Sequence, residues 1–118
     1  GCWLEGGDGF GDMLEAIRTF GEQGKIFIVH FRNVNAPLPH FVETFVDEGY
    51  FDMYRAMRAF QAVGYDGTMV LDHSPTFTRD AGKGASTAYA LGYMRALLER
   101  AQDEFELRTA NHHSQLKH

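Results

Sequence analysis

The chain has 118 residues, with 16 acidic against 11 basic side chains, a formal net charge of −5 and a single cysteine. A hydrophobic content of 44% lies above what disordered segments carry; no apolar run is long enough for a transmembrane helix, and the acidic balance argues against a broad nucleic-acid surface, which needs clustered Lys and Arg. One cysteine cannot close an internal disulfide and no charged-then-apolar leader opens the sequence, so a reducing cytoplasm is the expected location.

In chain order, residues 1–4 read as the end of a strand. The glycine-rich stretch Gly6-Gly7-Asp8-Gly9-Phe10-Gly11 follows; it has neither the Lys and Ser/Thr of a phosphate-binding loop nor the spacing of a dinucleotide fingerprint, and reads as a loop. Met13, Leu14, Ile17 and Phe20 then follow helical spacing, with Gly21 and Gly24 as the stop. Residues 25–31, Lys-Ile-Phe-Ile-Val-His-Phe, are β-branched, aromatic and almost continuously apolar, as expected of a parallel strand covered on both faces. After a loop with Pro37 and Pro39, Met53, Ala56, Met57 and Phe60 form a second helical stripe that Gly64 ends. Residues 68–72 make a second strand. A polar loop over 74–84 leads to a last helix whose Leu91, Met94, Leu98, Ala101 and Phe105 step by threes and fours. Residues 108–118 show no period and are expected to fray, so the structured unit is placed at 1–107.

This alternation of strand and helix implies a parallel α/β sheet. Two or three parallel strands leave both sheet edges and apolar surface open, which predicts a portion of a larger barrel or sheet. The start at Gly1-Cys2-Trp3 without Met agrees with that expectation.

In β/α proteins functional groups gather at the C-terminal ends of strands. Here Cys2, His30 and Asp72 stand at three successive strand ends, and a thiolate, a neutral imidazole and a carboxylate can all ligate a divalent metal. Each also has a structural reading: Cys2 as a small buried hydrophobe, His30 as a hydrogen-bonded residue, Asp72 as a turn former. Arg32, two residues after His30, has the planar fork that pairs with the carboxylate of a sugar acid, or is a surface charge. His73 is an acid/base candidate. It can share a site with Asp72 only if the strand has ended there, which Pro75 favours. The acidic residues Glu43, Asp47 and Glu48 read as a solvated loop face, and His112, His113 and His118 as part of a disordered tail.

Several motifs resemble the mannonate dehydratase family: Gly24-Lys25-Ile26-Phe27-Ile28-Val29-His30-Phe31-Arg32-Asn33, His40-Phe41-Val42-Glu43-Thr44-Phe45 with Asp47, Gly64-Tyr65-Asp66-Gly67, Asp72-His73-Ser74-Pro75 and Gly92-Tyr93-Met94-Arg95. The resemblance runs from Cys2 to about Leu98. It implies the C-terminal portion of a (β/α)8 TIM barrel, about three βα units, and dehydration of D-mannonate to 2-keto-3-deoxy-D-gluconate in hexuronate breakdown. By the resemblance, Cys2, His30 and Asp72 would be ligands of a divalent metal, Mn²⁺ first with Fe²⁺ or Co²⁺ as alternatives. His73 would be the acid/base and Arg32 a substrate contact. A further His ligand would come from a segment upstream of Gly1. A family tyrosine that follows the Asp-His-x-Pro motif has no counterpart in residues 80–88; Gly82 falls near its place and Tyr89 lies farther along. The partners expected are a small sugar acid and either a second copy of the chain or the rest of the barrel, with no nucleic acid and no membrane. The alternatives are a sugar isomerase or epimerase on the same barrel, and a non-catalytic barrel piece that assembles through its open strand edges.

Overall fold

The computed structural model describes residues 10–117. Cys2 and the strand end expected at residues 1–4 lie outside them. The elements run α1 (Phe10–Glu22), β1 (Ile28–His30), α2 (Met53–Ala62), β2 (Thr68–Val70) and α3 (Gly84–Leu116). β1 and β2 pair in parallel, with Ile28 opposite Thr68, Val29 opposite Met69 and His30 opposite Val70. The described residues thus form one two-stranded parallel sheet and three helices. None of these helices is long and apolar enough to cross a membrane.

Local chemistry explains the helix boundaries. Asp52 caps α2 by accepting from the Tyr54 and Arg55 amides at 3.0 and 3.1 Å. Gly24 and Gly64 close α1 and α2 in the left-handed region, at φ of +65° and +67°, where other residues are strained. Gly21, expected as a stop, lies inside α1. A Cβ there would fall 2.4 Å from Val63, so it permits close approach to the end of α2.

The core lies between the helices and one face of the sheet. Met13 and Ile17 of α1, Val29 of β1, Met53, Ala56, Met57 and Phe60 of α2, and Ala90, Met94, Leu97 and Ala101 of α3 form one buried cluster. α2 lies at its centre, packed against both α1 and α3. Glu104 ties α2 to α3 by accepting from Tyr54 and pairing with Arg58 at 3.1 Å, while Arg100 covers the Tyr54 ring at 3.7 Å.

Three expectations need correction. The strands are shorter than the apolar runs, and β1 is covered on one face only: Val29 is buried while Ile28 is 56% exposed, and Phe27, just before the strand, is 82% exposed. Alternation puts Ile28 and His30 on the face that no described element covers. The buried stripe of α3 is Ser86, Ala90, Met94, Leu97 and Ala101. Leu91, Leu98 and Phe105 are exposed, because this helix carries two apolar faces and packing against α2 selects one. Finally, α3 continues through residues 108–116, every one exposed. The i→i−4 ladder needs no apolar period to propagate, and Thr109 and His113 add side-chain bonds to carbonyls one turn back.

Candidate functional site

The site is built where the two strands end. Ile28, His30 and Arg32 alternate onto one side of the first strand and its extension, and the Phe31 amide continues the pairing by donating to the Val70 carbonyl at 2.8 Å. β2 stops at Val70, so Asp72 and His73 are free of the alternation that would part them. Asp72 then becomes the meeting point. Its Oδ2 lies 3.5 Å from His30 Nδ1 and accepts from Arg32 Nη1 at 3.3 Å, and its Oδ1 lies 3.2 Å from His73 Nε2. The structure therefore gathers four of the five residues singled out from the sequence, His30, Arg32, Asp72 and His73. The fifth, Cys2, lies outside the described residues.

Burial works against charge on the Asp72 carboxyl, but His73, Arg32 and His30 together outweigh it and hold its pKa below the usual aspartate value. Both imidazoles are more than half exposed, whereas the Arg32 side chain is only 12% exposed.

Two donors of the proposed metal set can be judged by their spacing. Ligand bonds of about 2.1 Å at angles between octahedral and tetrahedral put neighbouring donors about 3–3.4 Å apart. The 3.5 Å between His30 Nδ1 and Asp72 Oδ2 lies just beyond that spacing, so a small approach of the two side chains would be needed for them to share one ion. Among the described residues no group of three or more His, Cys, Asp or Glu is placed to hold an ion.

The loop after β1 supplies further residues. Glu43, expected on a solvated loop face, instead pairs with Arg32 Nη2 at 2.9 Å. Asn33 is 1% exposed and organises the loop: its Nδ2 donates to the Val46 and Phe51 carbonyls at 3.1 and 2.8 Å, and its Oδ1 accepts from the Val34 and Phe51 amides at 3.0 and 3.3 Å. Asp47 accepts from the Tyr89 hydroxyl at 2.6 Å, and Tyr89 meets Phe45 and Phe77 edge-on at 5.8 Å. This joins the loop after β1 to the loop after β2 and the start of α3. The one signal of these roles was the placement of Asn33 and Glu43 within motifs flanking the strand end.

A cleft of about 300 Å³ lies elsewhere, between the helices, and includes Leu14, Arg55, Arg58, Glu104, Phe105 and Arg108 in its lining. No residue of the strand ends faces it.

A family model described as D-mannonate dehydratase (UxuA) matches residues 6–108. Among solved structures, the mannonate dehydratase of Streptococcus suis serotype 2 is similar at a TM-score of 0.64 and 23% identity. The likeness covers 77% of this chain and 28% of that one, and at this identity it speaks for the fold.

Proposed function

The chain belongs to the D-mannonate dehydratase family, and from that premise we propose that it is the C-terminal portion of a TIM-barrel, metal-dependent carbon–oxygen lyase that converts D-mannonate to 2-keto-3-deoxy-D-gluconate and water. The observation that carries this reading is the convergence of His30, Arg32 and His73 on Asp72 at the ends of two adjacent parallel strands.

The reaction removes the C2 proton and the C3 hydroxyl; the resulting enol becomes the keto acid. His73 is the group proposed to move the proton. With Nε2 engaged by Asp72 Oδ1, its Nδ1 is the nitrogen left to exchange one. His30 and Asp72 would hold a divalent ion, Mn²⁺ first, with Cys2 as the third ligand proposed from this chain. When bound, such an ion stabilises negative charge developing on the acid and its hydroxyls. Arg32, proposed to pair with the substrate carboxylate, already has Asp72 and Glu43 on two of its nitrogens, so substrate would be a third anion on one guanidinium.

The uncovered face of β1, with Ile28 exposed, supports further strands as the partner of this chain, as a barrel would provide. A cytoplasmic location belongs to the same proposal. The test is formation of the keto acid from D-mannonate by the chain and by a form extended upstream, each with Mn²⁺. The extended form is expected to turn over, and His73→Asn to lose at least about 100-fold. Absence of both product and bound Mn²⁺ in the extended form would sink the proposal.

A further inference from the structure

We propose that Glu43 is a positioning residue of the strand-end site, acting through Arg32 to hold the Asp72 carboxylate between His30 and His73. The inference rests on the reading of His30, Asp72 and His73 as the working groups.

It begins with the backbone. The loop after β1 folds back on itself: Val34 and Glu43 form an antiparallel bridge. The Asn35 amide donates to the Val42 carbonyl at 3.1 Å, and the Val42 amide donates to Asn35 Oδ1 at 2.6 Å. Thr44 N–H reaches the Asn33 carbonyl at 3.4 Å. Through Asn33 the same loop is bonded at Val46 and Phe51. Glu43 is thereby returned to the strand end on a hydrogen-bonded support, which a solvated acid on an open loop would lack.

The side chains then form a chain of contacts. Glu43 Oε1 pairs with Arg32 Nη2 at 2.9 Å, Arg32 Nη1 donates to Asp72 Oδ2 at 3.3 Å, and the Phe41 ring lies 5.7 Å from the guanidinium carbon. A guanidinium is planar and rigid, so carboxylates on its two terminal nitrogens constrain each other's position. The Glu43 contact is the shorter of the two, which makes Glu43 the anchor and Asp72 the group being placed. Glu43 Oε2 is moreover buried with no hydrogen-bond partner among the described residues. A carboxylate half left bare in this way costs stability, a cost that a role in the site accounts for.

The test compares the 118-residue chain with Glu43→Gln, Glu43→Asp and, as control, Glu48→Gln, an exposed acid on the same loop. Electron paramagnetic resonance of free Mn²⁺ reads binding. Glu43→Gln is expected to weaken it about tenfold or more, Glu43→Asp to recover part, and Glu48→Gln to leave it unchanged. Thermal unfolding reads the coupling without any ion. The effects of Glu43→Gln and Asp72→Asn on the midpoint should depart from additivity by about 3 °C or more with Arg32 present, and add in an Arg32→Met background. If the wild-type chain binds no Mn²⁺, the unfolding cycle still decides the role of Glu43, and the proposed function stands or falls separately on the extended form. Additivity with Arg32 present overturns the inference, as does a Glu43→Gln variant that binds Mn²⁺ like the wild type.

Discussion

Replacing Asn33 by Ala should destabilise the chain severely for a loop residue. The side chain is 1% exposed and makes four hydrogen bonds to backbone groups, three of which span the loop to Val46 and Phe51, both buried. A hydrogen bond contributes about 1 kcal/mol net, and a buried group left without one costs about 1–3 kcal/mol. Two carbonyls and one amide across the loop would each lose a hydrogen bond, so the loss should be about 3 kcal/mol. For a domain of this size the midpoint would fall by roughly 10–20 °C. Circular dichroism through thermal and urea unfolding measures it, with an unchanged urea slope showing that stability alone has moved. Asn33→Asp separates bonding from packing: its shape is nearly the same, but it turns the two donors into an acceptor facing two carbonyls. It should cost at least as much as Ala. A loss below about 1 kcal/mol for Asn33→Ala, or an innocuous Asn33→Asp, would refute the claim that this one side chain organises the loop.

Three further outcomes are expected. Gly49→Ala places a Cβ 2.0 Å from Asn33 Cγ and Oδ1 and should cost about 1–3 kcal/mol, but little in the Asn33→Ala background; unfolding of the double variant checks this. Asp80 accepts from the Ser86 amide at 2.9 Å and the Ala85 amide at 3.2 Å; led by the Ser86 bond, these outweigh burial and hold its pKa below 3.8. A lowered folded-state pKa means that its stabilisation is present above the ordinary aspartate value and lost as pH falls through the lowered one, so wild type and Asp80→Ala should differ in midpoint at pH 7 and converge in acid. Tyr89 is pushed up to about 12, chiefly by its bond to Asp47, so Asp47→Asn should bring one tyrosine back toward 10 in an alkaline ultraviolet titration; an unchanged titration would contradict the bond.

How much was legible in advance differs by element. Gly24 and Gly64 marked the helix ends because each closes its helix at positive φ, a purely local demand. The stripe of α2 was legible because its large apolar side chains, Met53, Met57 and Phe60, fall with Ala56 on one face, and that face is the buried one. In α3 the choice was open: two apolar faces lie on one helix, and the contact with α2 buries the one carrying Ala90, Met94, Leu97 and Ala101. For β1, a continuous apolar run suggested cover on both faces, yet among the described residues only one face is covered. At the site, His30, Arg32, Asp72 and His73 could be named from their places at strand ends. Glu43 could not, because its part depends on a fold-back of the loop that leaves no periodic trace.

By itself, then, the sequence determined the alternation of strand and helix, the helix ends, and the residue types gathered where the strands stop, since these follow from local backbone preference and from a periodicity of two or 3.6. Only the tertiary structure decided that Asp72 joins three other side chains, that Arg32 is shared between two carboxylates, and that an acid on the intervening loop lies beside them. Apart from the neighbouring His73, those contacts join residues 11 to 42 positions apart, and their distances are set by the parallel register of β1 and β2 and by the loop folded on Asn33.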